Sequence, residues 1–231
     1  MAFKDGDFLE VEYNAYDAAD NKLLSTTEEK KAKEGNIYDS RMAYGPALVI
    51  LGRQGVIKGL DRELRNMKEN EQKRFTFKPE DAFGEHSEEL VRVMPLSTFR
   101  EHDMDPKPGM SVNLDDVVAI VKSVSSGRVV VDANHPYAGK DIIYEIRILR
   151  QLTSEKDKIN ALGSSYGAVP TSLTASADKV ELVYDNAVGK NADYFVGRAN
   201  LIAAIFSNLK DVKKIEIKEE YLRPEEKKDN K

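Results

Sequence analysis

The sequence predicts an α+β protein built from two or three compact units, and three observations carry that prediction. Several short segments alternate apolar and polar residues with the period of two of a half-buried strand. One stretch near Leu60 carries the helical period instead, and the pattern changes style after Thr153. At 231 residues the chain also exceeds the roughly 100 to 150 residues that a single core typically serves.

The first strand is the plainest. Leu9, Val11, Tyr13 and Ala15 share one face, and Glu10, Glu12 and Asn14 the other. After a polar bend at Asp20-Asn21 come the short apolar piece Leu23-Leu24 and a charged segment from Glu28 to Lys33, which reads as a surface excursion. The run Ala47 to Leu51 is a second strand. Gly52 and Gly55 then break the pattern, and Leu60, Leu64 and Met67 recur at the spacing of a short amphipathic helix lying across a sheet. Phe75 and Phe77 alternate with Arg74, Thr76 and Lys78 until Pro79 stops the strand. Far downstream, Ile142, Tyr144, Ile146 and Ile148 form a last strand of the same style.

Between Gly84 and that last strand lie apolar runs at Leu90 to Met94, Val117 to Val124 and Val129 to Val131, divided by turns at Pro106 to Gly109 and Ser125 to Gly127. This is the pattern of a small β-rich domain inserted in a loop. After Thr153 come a charged helix (Ser154 to Leu162), a Gly/Ser/Pro-rich stretch to Ser172, a strand at Val180 to Tyr184, a long helix and a strand at Ile215 to Ile217. Arg223 to Lys231 reads as a frayed, charged tail. In the long helix Phe195, Ala199, Ile202, Phe206 and Leu209 form a stripe, widened by Leu201 and Ile205. A face so broad requires burial, either on the neighbouring strands or against a second copy of the chain.

Composition limits the chemistry. Hydrophobic residues at 41% and charged residues at 32% describe a globular protein. A formal net charge of -5 gives no general attraction for nucleic acid or an anionic membrane. The absence of cysteine excludes disulfides, thiolate nucleophiles and Cys-bearing zinc sites. No run approaches the roughly 18 apolar residues of a membrane span, and Lys4, Asp5, Asp7 and Glu10 interrupt any secretory leader, so a cytoplasmic protein is expected.

Two motifs mislead. Gly163-Ser164-Ser165-Tyr166-Gly167 fits the nucleophile-elbow pattern of hydrolases but lacks the preceding apolar strand and a downstream histidine, so a linker is the better reading. Gly139-Lys140 and Gly189-Lys190 lack the remaining residues of a phosphate loop. His86, His102 and His135 are too dispersed to suggest a metal site.

Four pieces in fixed order carry more information: Val11-Glu12-Tyr13, then Leu51 to Leu60, then Pro79-Glu80-Asp81-Ala82-Phe83-Gly84, then Ile143-Tyr144-Glu145-Ile146. The second contains Gly55-Val56-Ile57-Lys58-Gly59-Leu60. Together they resemble the FKBP-type prolyl isomerases over residues 3 to 84 and 135 to 152. The stretch Val130 to Lys140 resembles the end of the insert-in-flap domain of SlyD-like and long archaeal members. The resemblance implies an FKBP-like half-open antiparallel sheet wrapped on a short helix. The isomerase domain would comprise residues 1–86 and 135–153, the insert 87–134, and a C-terminal α/β domain 154–231.

The resemblance implies the site residues too. Tyr13 forms a wall of a proline pocket, Leu24 takes the place of the family's pocket Phe, Val56 and Ile57 border the entrance, Leu60 is the floor, and Phe83 and Tyr144 close the sides. The Ile57 backbone N–H holds a substrate carbonyl. No cofactor is implied. Leu24-Ser25, Ala47, Leu60 and Phe83 depart from the family's usual residues, which implies a roomier pocket, modest catalysis and poor binding of macrolide inhibitors. In the insert, Met94, Leu96, Phe99, Met104, Met110 and Val112 are the candidate contacts for unfolded, proline-containing chains, methionine being adaptable; they equally serve a small domain as its own core. The competing classes are a holdase with a degenerate, non-catalytic pocket and an assembly factor for one fixed partner.

Overall fold

The computed structural model describes residues 2–53, 55–114, 117–176, 178–185 and 192–221. Arg223 to Lys231 and the Gly189-Lys190 pair lie outside the described residues. Three antiparallel or mixed sheets follow one another, each over its own apolar cluster.

The first sheet is organised around β1 (Phe8–Asp17). One edge of β1 carries β2 (Leu23–Thr26), which precedes α1 (Glu29–Glu34), and also β3 (Ala47–Ile50). After α2 (Lys58–Leu64) comes β4 (Gln72–Phe77), which pairs with a strand that returns only after the insert. β3 occupies β1 from Phe8 to Val11 and β2 from Asn14 to Tyr16, which leaves the Tyr13 edge to a loop. There Thr27 supplies what a strand would: its Oγ1 accepts from the Tyr13 N–H at 3.0 Å, and its N–H donates to the Tyr13 carbonyl at 3.1 Å.

The insert consists of β5 (Val91–Pro95), α3 (Leu96–Arg100), β6 (Ser111–Leu114), β7 (Val117–Ser125) and β8 (Arg128–Asp132), in the sheet order β5-β8-β7-β6. Its core is Phe99, Val112, Ala119, Val121, Val129 and Val131. Asn134 clasps the two connecting segments: its Oδ1 accepts from the Ser87 N–H and its Nδ2 donates to the Ser87 carbonyl, both at 2.9 Å. The chain then enters β9 (Ile142–Leu152), which pairs with β1 along its whole length and with β4 on its other edge.

The last unit contains α4 (Glu155–Ser165), β10 (Ser172–Ser176), β11 (Lys179–Tyr184), α5 (Ala192–Asn208) and β12 (Lys214–Glu219). β11 and β12 run parallel, as a crossover through α5 permits. The alternation along the first sheet explains how this unit docks. Leu9, Val11, Val49, Ile146 and Ile148 face α2, whereas Phe8, Leu152, Leu48 and Ile50 face the C-terminal core of Ile159, Leu162 and Leu201.

Several expectations are corrected. Residues 28 to 33 are not a plain excursion, since Glu29–Glu34 is helical. With Ala32 its one buried residue, no apolar stripe announces it, and a Lys33–Glu29 ion pair at 2.5 Å sits at helical spacing. In α5 the buried face is Tyr194, Gly197, Leu201, Ala204 and Ile205. Phe195, Ala199 and Phe206 of the predicted stripe point outward, with Phe206 45% exposed, while Leu209 is buried. The helix turns its small residues inward because it approaches α4 closely: a Cβ on Gly197 would overlap the Tyr166 carbonyl. In the insert, Phe99 and Val112 are buried core rather than surface, because a unit this small needs them inside.

Candidate active site

Helix α2 lies against the concave face of the first sheet, with Leu60 and Leu64 buried beneath it. Gly59 allows the close approach, since a Cβ there would overlap the Phe77 ring. Above Leu60 the sheet and helix enclose a hollow of about 440 Å³. Tyr13 and Val11 from β1 and Tyr144 and Ile146 from β9 form its inner wall. Val56, Ile57 and Lys58 border it where the chain enters α2, and Ala82 and Phe83 close the far side. Ala47, Leu48, Val49 and Gly55 complete the lining on the β3 side.

Tyr13, Val56, Ile57, Leu60, Phe83 and Tyr144 are thus brought together on one hollow. Leu24 is not. Where β2 pairs with β1, Ala15 opposes Ser25 and Tyr16 opposes Leu23, so Leu24 is the unpaired residue of a bulge beyond the hollow. Its carbonyl accepts from the Tyr137 hydroxyl at 3.5 Å, which is its one link to the rim. Phe77 belongs to the core and Phe75 packs on it.

The aromatic groups are held in place by identifiable neighbours. Tyr13 and Tyr144 lie 5.7 Å apart, centroid to centroid, and the Tyr13 hydroxyl is 3.2 Å from the Ser25 Oγ. Burial raises the Tyr144 phenol pKa, with the neighbouring phenols of Tyr13 and Tyr137 adding to it, so Tyr144 remains a neutral donor. Phe83 follows a 3-10 turn at Pro79–Asp81 that is tied to α2 by a two-pronged Arg62–Asp81 pair at 2.8 and 3.0 Å. The His135 ring stacks on Phe83 at 4.3 Å and 3°, and Tyr137 meets it edge-on at 5.4 Å. The sequence reading assigns neither His135 nor Tyr137 to the pocket. Their position just after the insert, in Asn134-His135-Pro136-Tyr137, was the available signal.

Such a site can bind an apolar ring and one carbonyl. The Ile57 N–H, just ahead of the first turn of α2, has no acceptor among the described residues. Among those residues, no group of three or more His, Asp or Glu side chains is placed to hold a metal ion.

The comparisons with known proteins agree with this geometry. Residues 1–100 match the family described as FKBP-type peptidyl-prolyl cis-trans isomerase, and residues 92–137 match FKBP26, IF domain. The chain is 31% identical over 145 residues to the short-type peptidyl-prolyl cis-trans isomerase of Methanocaldococcus jannaschii, covering 63% of this chain and 91% of that one. It is 28% identical over 143 residues to the FKBP-type peptidyl-prolyl cis-trans isomerase SlyD of Vibrio cholerae, covering 60% and 71%. A crystal structure of the three FKBP domains of wheat FKBP73 overlaps 67% of this chain and 42% of its own, at 15% identity and a TM-score of 0.35. No helix among the described residues is long and apolar enough to cross a membrane. On these sequence relationships the chain belongs to the FKBP-type peptidyl-prolyl cis-trans isomerases, enzymes that interconvert the cis and trans forms of Xaa-Pro bonds.

Proposed function

We propose that the enzyme acts on Xaa-Pro bonds of unfolded or nascent polypeptides, with the prolyl ring in the hollow above Leu60 and the polypeptide held by the insert. The observation that carries this reading is the convergence of Tyr13, Val56, Ile57, Leu60, Phe83 and Tyr144 on one apolar cavity. Rotation about an imide bond faces a barrier of about 20 kcal/mol, because resonance makes the planar form polar and stiff. An apolar enclosure disfavours the charge-separated planar form relative to the twisted one, and walls shaped to the twisted imide add selective binding of that state. Leu60 supports the ring, Phe83 and Tyr144 flank it, and the Ile57 N–H takes the carbonyl. No nucleophile and no cofactor is required. A protease-free exchange assay on a short proline peptide tests this reading. Tyr13→Ala and Phe83→Ala should each lower kcat/KM at least tenfold, and wild-type rates in both would refute it.

For the insert, support comes from apolar residues left outside its core. Val93 and Val118 are 62% and 63% exposed, and Val93 lines a hollow of about 490 Å³ together with Met94, Met104 and Leu114. Such a surface suits varied unfolded segments. Removing residues 88 to 133 should abolish suppression of aggregation and spare isomerisation of short peptides. The outward face of α5, with Phe195, Val196 and Phe206 exposed, supports a homodimer through the C-terminal unit. Phe195→Glu with Phe206→Glu should then halve the mass seen by light scattering. A cytoplasmic location belongs to the same proposal and is checked by cell fractionation.

A further inference from the structure

A second hollow, of about 550 Å³, opens beside the first. The two share Leu48, Val49, Gly55 and Val56, so they are adjoining parts of one cleft. The far wall of the second belongs to the C-terminal unit: Ser165 and Tyr166 at the end of α4, Ser207 and Asn208 at the end of α5. The Arg53 guanidinium donates to the Ser207 carbonyl at 3.0 Å and fastens the loop after β3 to that wall. This is also where Gly163-Ser164-Ser165-Tyr166-Gly167 lies. Its hydroxyls donate back into α4, Ser164 to the Asn160 carbonyl at 3.1 Å and Ser165 to the Ala161 carbonyl at 3.0 Å, while Tyr166 is 39% exposed.

The strip between the two hollows is the edge of β3. This strand pairs with β1 on one side and, among the described residues, with no strand on the other. The Leu51 N–H donates to the Asp7 carbonyl at 3.0 Å, which fixes the alternation of the ladder. Val49 and Ala47 therefore bond to β1 as well, and Leu48 turns its N–H and C=O outward. Leu48 is one of the residues common to both hollows. An unpaired backbone edge beside a groove is a template for an extended peptide.

We infer that the second hollow is a subsite for the substrate residues flanking the proline, reached by an extended segment running along β3, and that Tyr166 is the side chain that grips it. The inference rests on the reading that the prolyl ring occupies the first hollow. Among its described lining residues the groove holds no carboxylate and one cation, Arg53, so it fits an uncharged or acidic segment. β3 is four residues long, which sets the length of flank that can pair with it.

The test compares isomerisation of a proline tetrapeptide with peptides lengthened by about four residues before or after it. In the wild-type full chain, lengthening on one side raises kcat/KM. In Tyr166→Ala, and in Ser165→Arg, which fills the groove while keeping Tyr166 and gives up only the Ser165 hydroxyl bond to the Ala161 carbonyl, the ratio of long to short kcat/KM falls roughly three- to tenfold. Equal ratios in the wild type and both variants overturn the inference, as does the absence of any length effect. If no peptide of any length is turned over, the reading of the first hollow fails by itself. Fluorescence anisotropy of a labelled long peptide then decides the groove: weaker binding in both variants sustains it, and unchanged binding overturns it.

Discussion

Replacing Gly59 with alanine perturbs the contact that places α2 against the sheet. A Cβ at this position lies 2.7 Å from the Phe77 Cε1 and 3.1 Å from the Asp81 carbonyl, where ordinary contact begins at 3.4 Å. Phe77 is 4% exposed and cannot swing into solvent, so helix and sheet must separate by up to about an ångström. Such overpacking costs about 1–3 kcal/mol, and the better helix propensity of alanine returns at most about 1 kcal/mol. The net loss of up to about 2 kcal/mol lowers Tm by about 2–4 °C for each kcal/mol, the catalytic and C-terminal units together forming a cooperative unit in the range of about 150–250 residues. Ile57 and Leu60 flank the substitution and move with α2. Since misplacement by about 1 Å can cost about a hundredfold in rate, kcat/KM should fall at least tenfold at temperatures where the variant is fully folded. Calorimetry paired with the proline exchange assay measures both effects. Wild-type Tm together with wild-type turnover would refute the claim that this contact positions the floor of the site.

Three further outcomes are expected. His135→Ala removes the ring stacked on Phe83, an interaction of about 0.5–1.5 kcal/mol, so kcat/KM should drop roughly two- to tenfold and recover in His135→Phe; an unaltered rate would show that Phe83 needs no support. Asp132 sits at the end of β8. Burial alone would raise its pKa, but hydrogen bonds from the Asn134 backbone and side chain, His86 and Lys122 outweigh burial and hold it at about 2. Its folded pKa lies below the unfolded value of 3.8, so its contribution is complete above about pH 4 and lost as pH falls toward 2; circular dichroism of Asp132→Asn should show a flatter acid limb in that window. Ser154 caps α4 by accepting from the Asp157 N–H at 3.1 Å, and Ser154→Ala should cost about 1 kcal/mol in denaturant titration.

The strands of the catalytic sheet were legible because each buries one face, so that Leu9, Val11 and Tyr13 repeat with period two. The hollow was legible only through motif order, since Tyr13 and Leu60 look like any core residues in isolation. Leu24 was misplaced because a bulge is a property of the pairing between β1 and β2, which no single strand displays. Helix α1 was hidden by its charge, and the phase of α5 by having apolar residues on two faces, only one of which meets α4. In the insert, composition could not separate a buried Phe99 from an exposed Val93, because both faces of its sheet carry apolar side chains. Contacts such as that of His135 with Phe83 join residues on either side of the insert, a distance over which local pattern has no reach.

Because alternate side chains of β1 and β3 enter two different cores, the catalytic and C-terminal units cannot melt separately without stripping one face of the same strands. Hydrogen exchange should find these units opening in a single cooperative event. The insert, with a core of its own behind the Asn134 clasp, is free to open by itself at lower energy. Under the client-binding role proposed for the insert, a client is then gripped and released repeatedly while the catalytic sheet stays native.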